Sequence, residues 1–129
     1  MKVKYQHKTE ALKDRFPPFP VSRSEIVLTS VSLNKIGPKD RIVLRMEVGW
    51  DKPLHWDMGE LELILRAGAV NGPIVFLASE ACFYRAHTKL EHVERGGAEH
   101  QIYYLSVISM EDRARIVGPY SLEGIVYED

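Results

Sequence analysis

Asp40 to Trp50 reads Asp-Arg-Ile-Val-Leu-Arg-Met-Glu-Val-Gly-Trp. Ile42, Leu44, Met46, Val48 and Trp50 share one parity, and Arg41, Val43, Arg45, Glu47 and Gly49 share the other. Successive side chains of a strand point to opposite faces, so this stretch has an apolar face and a largely charged one. That is a half-buried antiparallel strand, and its inward parity runs to Trp50. The same two-residue rhythm recurs in Ser24–Asn34 and in Glu60–Ala67, where Leu61, Leu63, Leu65 and Ala67 oppose Glu60, Glu62, Ile64 and Arg66. Gln101–Ser109 is rich in β-branched and aromatic residues, as strands prefer.

Turn chemistry separates these runs. Ile36-Gly37-Pro38-Lys39-Asp40 and Asn71-Gly72-Pro73 are turn clusters, and Asp51–Gly59 is a loop. Ile74–Arg85 is apolar on both parities at its start, which predicts a strand covered on both faces. His87–Gly97 fits a helix or a strand; flanking strands favour a strand. Ile116–Tyr127 is a last strand region with Gly118-Pro119 as a break. Several strands of this length, with connections too short for crossover helices, predict an all-β antiparallel sandwich or jelly roll.

Residues 1–23 read as an N-terminal arm and residues 24–129 as the sandwich domain. Met1–Arg15 is polar, with Ala11, Leu12 and Phe16 as a thin helical stripe. Phe16-Pro17-Pro18-Phe19-Pro20 excludes helix interior and central strand and is expected to be extended, displaying Phe16 and Phe19. It is either a spacer packed on the domain edge or an arm that docks on a neighbouring subunit.

The 129 residues carry 17 basic and 18 acidic side chains, a net charge of -1, with the signs interspersed. That leaves no basic stripe for a phosphate backbone and no polybasic membrane patch, so nucleic acid and membrane insertion are not expected partners. No apolar run approaches the roughly 20 residues that span a bilayer. Polar Gln6, His7, Lys8 and Glu10 stand where a signal peptide needs an apolar core, so the chain is expected to be made in the cytoplasm without a classical signal. Cys82 is the one cysteine, so no intrachain disulfide forms.

Two stretches carry a family resemblance. Val27-Leu28-Thr29-x-Val31-x-Leu33-Asn34, then Asp40-Arg41-x-Val43-Leu44 and Val48-Gly49-Trp50, together with Gly118-Pro119-Tyr120-Ser121-Leu122-x-Gly124, resemble small β-sandwich proteins of bacterial spore surfaces. These are exosporium basal-layer and coat-associated proteins with a jelly roll like that of tumour necrosis factor and C1q modules. The resemblance implies a compact homotrimer with a structural role in a spore shell, other surface-layer proteins as further partners, and no catalytic residues or cofactor to carry over.

The densest patch with binding chemistry is Trp50-Asp51-x-Pro53-x-His55-Trp56-Asp57. Aromatic rings beside carboxylates suit sugar stacking or partner anchoring; the competing reading is that Trp50 caps the core and Trp56 packs under its loop. Trp50, His55, Trp56 and Asp57, with Phe16 and Phe19, are therefore the candidate binding or interface residues. His87, His92, His100 and Cys82 match no zinc-site spacing and read as scattered surface histidines beside a buried thiol. Such a thiol is a poor nucleophile. Phosphate-binding glycine motifs are absent. The expectation is a non-enzymatic, self-associating structural protein, with a carbohydrate-binding module as the alternative.

Overall fold

The computed structural model describes residues 2–129. Among them are nine strands and no helix: β1 (Val3–Ala11), β2 (Phe19–Val21), β3 (Ile26–Leu33), β4 (Arg41–Asp51), β5 (Gly59–Ala67), β6 (Ile74–Cys82), β7 (Arg85–Arg95), β8 (Gln101–Ile108) and β9 (Ala114–Tyr127). One sheet has the order β1-β9-β4-β7, with the short β2 also on β9; the other is β3-β8-β5-β6. Every pairing is antiparallel. Apart from β5 to β6, successive long strands change sheet, and the last strand returns between the first and the fourth. That is jelly-roll topology in a two-sheet sandwich. No helix among the described residues is long and apolar enough to cross a membrane.

The inward parity of β4 forms the middle of the core as its alternation demands: Ile42, Leu44, Met46, Val48 and Trp50 are all buried. Leu61, Leu63 and Leu65 of β5 and Tyr103, Leu105 and Val107 of β8 meet them from the opposite sheet. At Gly49 the chain passes so close to β9 that a Cβ would overlap the carbonyl of Gly118. Gly118 itself has a φ of 84°, a region that glycine enters without steric cost. The register of β4 on β9 shifts between Val48 and Trp50 to absorb this crossing.

Four expectations need correction. Residues 1–23 are not an arm outside the sandwich, since β1 pairs with β9 from Val3 to Ala11 and β2 pairs with it from Phe19 to Val21. Nor is there a helix near Ala11. Two of the inward residues of β1, His7 and Thr9, are polar because they meet the polar edge of β3. Thr9 Oγ1 lies 2.6 Å from Thr29 Oγ1 and donates to the Ser30 carbonyl, and the Ser32 N–H donates to His7 Nδ1 at 3.0 Å. A strand whose buried partners are hydrogen-bonding groups leaves no apolar alternation to read. The β6 region is not covered on both faces. It is an edge strand that ends at Cys82, with Ile74 48% and Leu77 54% exposed. Gly118-Pro119 bends β9 without ending it. The ambiguous His87–Gly97 stretch lies largely within β7, which is a strand.

The two outer faces differ in chemistry. Across β1-β9-β4-β7 runs the row Lys8, Glu123, Arg45, Glu91, alternating in sign, with the Arg45 guanidinium 3.2 Å from Glu91 and 3.7 Å from Glu123. The corresponding row across β3-β8-β5-β6 is Val27, Ser106, Ile64, Leu77. Tyr104, Arg66 and Ile74 make the next row, and Arg66 is neutralised by Glu25 through bonds of 2.9 and 2.8 Å.

Candidate binding site at the loop end

Four connections gather at one end of the sandwich because β4, β6 and β8 all finish there and β5, β7 and β9 start there. They are residues 12–18, 52–58, 83–84 and 109–113. The Lys52 N–H donates to the Tyr84 carbonyl at 3.2 Å, the Glu60 N–H to the Arg113 carbonyl at 3.2 Å, and Asp51 stands opposite both Arg85 and Arg115. Leu54 is 97%, Phe83 80% and Tyr84 71% exposed, so this end shows large apolar side chains that the core does not use.

Trp50 and Trp56 divide as their parities require. Trp50 is fully buried, and its indole N–H donates to Thr88 Oγ1 at 2.9 Å. It is a core residue and cannot touch a ligand. Gly59 leaves room for that ring, because a Cβ there would lie 3.0 Å from the indole. Trp56 is half-buried in the β4–β5 loop, whose turn is closed by the Trp56 N–H donating to the Pro53 carbonyl. The Arg113 guanidinium lies 4.2 Å from the centre of the Trp56 ring and also pairs with Glu111. That places a cation over one indole face. His55 is exposed, with its ring centroid 5.5 Å from that of Trp56, and Asp57 is exposed.

Phe16 and Phe19 lie at the same end, half-buried rather than held out from it. Their ring centroids are 5.8 Å apart, and Phe16 sits 5.4 Å from Tyr120. Phe16 lines a cleft of about 200 Å³ with Lys13, Pro18, Asp51, Tyr84 and Arg85. On the other side of Tyr84 and Asp51 is a cavity of about 460 Å³ walled by Lys52, Pro53, Leu54 and Arg115. Tyr84 thus stands between two depressions, with the Arg85 guanidinium 5.5 Å from its ring centre. Asp51 takes a two-pronged bond from Arg115, at 3.0 and 2.8 Å, which holds the guanidinium plane and pushes the Arg115 pKa up.

The structure therefore joins the Phe16 region to the tryptophan loop, removes Trp50 from the site, and puts Tyr84, Arg85 and Arg115 at its centre. Sequence reading missed these three. The available signal was the pair Phe83-Tyr84 between two alternating runs, which marks a two-residue connection carrying aromatics. The arrangement can stack a planar or pyranose-like surface against tyrosine and leucine and hydrogen-bond its rim.

The groups weighed for catalysis or metal binding are scattered. Cys82 is buried, and desolvation pushes its thiol pKa up. His87 bonds Glu47, His92 bonds Glu94, and His100 bonds Asn34, each at a separate place. Among the described residues no group of three or more His, Cys, Asp or Glu is placed to hold a metal ion.

No protein-family model matches the chain, and no curated protein matches it. Solved structures do match. A chain from Bacillus endospore appendages, described as disulfide-linked pili, aligns over 100% of this chain and 93% of its own length, at 10% identity and a TM-score of 0.49. A chain of dimeric latent PorU from Porphyromonas gingivalis aligns over 99% of this chain at 10% identity and a TM-score of 0.49, and this chain spans 13% of it. At these scores neither likeness bears on function.

Proposed function

We propose that this chain is a non-enzymatic structural subunit that self-associates within a bacterial surface layer. The observation that carries the reading is the outer face of β3-β8-β5-β6. Its central row holds Val27, Ser106, Ile64 and Leu77, and its one central cation is paired with Glu25. Ile64 is only 5% exposed although it faces outward, and Val27, Ile74 and Leu77 stand 40–54% exposed around it. Exposed sheets in water ordinarily carry charge on the outer parity, as the opposite sheet does. An uncharged row of this kind, bordered by Glu62 on one side and by the Arg66–Glu25 pair on the other, suits a surface covered in an assembly.

A spore coat or exosporium as the location, kinship with tumour necrosis factor and C1q modules, and a trimer as the assembly all belong to this reading. The resemblance of Val27–Trp50 and Gly118–Gly124 to spore-surface jelly rolls carries them. Light scattering coupled to gel filtration tests it. The wild-type chain is expected to run as an oligomer and Val27→Lys/Tyr104→Lys to lose that assembly while keeping its melting temperature. A wild-type monomer at micromolar concentration refutes the reading.

The paired clefts around Tyr84 favour a second reading, a carbohydrate-binding module. Tyr84→Ala then abolishes retention on a glycan surface while Leu54→Ala, in the wall of the larger cleft, weakens it. Equal retention by both variants and the wild type excludes it.

A further inference from the structure

A second surface points to a specific partner, and it lies on the sheet whose outer face is charged. β7 is the edge of that sheet, so one row of its backbone N–H and C=O groups has no partner strand among the described residues. It pairs with β4 over Arg85–Arg95 with no bulge, which leaves a long regular edge. Edges of this kind accept a further strand unless something blocks them. Charges are the usual block, but on β7 they are arranged to match themselves. Arg85, His87, Lys89, Glu91, Val93 and Arg95 share the outer parity. Lys89 and Glu91 flank Leu90, and both are exposed.

We infer that two copies of this chain pair edge to edge through β7, antiparallel, about a two-fold axis at Leu90. In that register Lys89 of each copy lies opposite Glu91 of the other, His87 lies opposite Val93, and Leu90 meets Leu90. Moving the axis by one residue sets Lys89 against Lys89 or Glu91 against Glu91, and like charges directly opposite destabilise a pair. Arg85 opposite Arg95 is the one like-charge pair left, and it falls at the solvent-exposed ends, where screening is strongest. An isologous contact of this sort closes as a dimer.

The second sheet fits the same axis. β6 is its edge and lies on the same side of the sandwich, and Phe76 stacks on His92 across the gap with centroids 5.1 Å apart. β6 and β7 are joined by only Phe83 and Tyr84 and run in opposite directions. Two residues back from His92 is Leu90, and two residues on from Phe76 is Ala78. The axis therefore passes near Ala78, the smallest side chain in this part of β6. There Leu77 comes opposite Ser79 of the second copy, with no charge against charge. Both sheets are continued across one two-fold contact.

The proposal rests on the self-association reading but uses a different surface, so the test runs in the Val27→Lys/Tyr104→Lys background, where the outer-face contact is disabled. That protein is expected to sediment as a dimer, and a monomer overturns the edge contact whatever the wild type does. Lys89→Glu and Glu91→Lys, each alone, are expected to raise the dimer dissociation constant roughly tenfold or more. The combined Lys89→Glu/Glu91→Lys swap restores self-complementarity and is expected to dimerise again. If the swap behaves like the single reversals, β7 pairs with some other edge and the inference fails. Disulfide trapping reads the register in a Cys82→Ala chain. Opposed Cα atoms of an antiparallel pair lie about 4.5–5.5 Å apart, within the range a disulfide spans. Lys89→Cys mixed with Glu91→Cys is expected to cross-link on oxidation, and neither alone is. Cross-linking of either alone, or none in the mixture, overturns the register.

Discussion

Replacing each tryptophan by alanine separates a core residue from a loop residue, and the structure sets the two magnitudes apart. Trp50 is fully buried, so Trp50→Ala removes a whole indole from the middle of the sandwich, a truncation that costs about 3–5 kcal/mol. It also strips the Thr88 hydroxyl of the indole N–H at 2.9 Å, and a buried polar group left without its partner adds about 1–3 kcal/mol unless water enters the cavity. A domain of this size has about 5–15 kcal/mol in all, so the loss takes a third of the stability or more. Trp56 is half-buried, and its main specific contact is the Arg113 cation, worth about 0.5–1 kcal/mol at an exposed site. Its indole N–H is buried without a partner among the described residues, and deleting it relieves that cost. The net loss for Trp56→Ala is then about 1–2 kcal/mol, from the half of the ring that packs. With a slope of about 2 kcal/mol per molar in urea, Trp50→Ala shifts the midpoint by about 2 M or more and Trp56→Ala by about 1 M or less. Equal shifts, or a Trp50→Ala loss below that of Trp56→Ala, refute the assignment of one ring to the core and the other to the loop end.

Other outcomes follow from the same contacts. Gly49→Ala drives a methyl into the Gly118 carbonyl where β4 crosses β9, and is expected to yield insoluble or unfolded protein on expression, whereas Gly97→Ala, with open space around it, is expected to be neutral. The Lys4 ammonium and the N–H groups of Gly37 and Asp129 hold the Asp40 carboxyl below its ordinary value, and Arg66 does the same for Glu25. Folded carboxyls with depressed pKa values stabilise the protein above the ordinary carboxylate range, and that contribution is lost as pH falls through the folded values. Denaturation midpoints are therefore expected to be flat from neutral pH to about 5 and to decline below about 4, less steeply in Asp40→Asn. Native Cys82 is expected to react with a thiol reagent only as fast as the chain opens, because burial both shields the thiol and raises its pKa; rapid stoichiometric labelling without denaturant contradicts this.

The period-two alternation of Val27–Leu33, Ile42–Trp50 and Leu61–Ala67 determined the all-β class and most of the core, because a half-buried strand writes its inward face into every second residue, although a register shift between Val27 and Thr29 turns Val27 outward. The same parity placed Trp50 inside. β1 was hidden because Thr9 and His7 satisfy the edge of β3 by hydrogen bonds, and a polar-to-polar contact has no hydrophobic period. β6 was misjudged because an apolar run looks alike whether its outer face is packed under another layer or left exposed at a sheet edge. The order β1-β9-β4-β7 against β3-β8-β5-β6 is set by long-range pairing, such as Lys8 with Glu123, that no local window contains. Only that pairing brings Phe16, Asp51, Tyr84 and Arg115, distant along the chain, around the same pair of clefts. The strand faces were local properties of the sequence, while the site at the loop end is a property of how the sheets are wound.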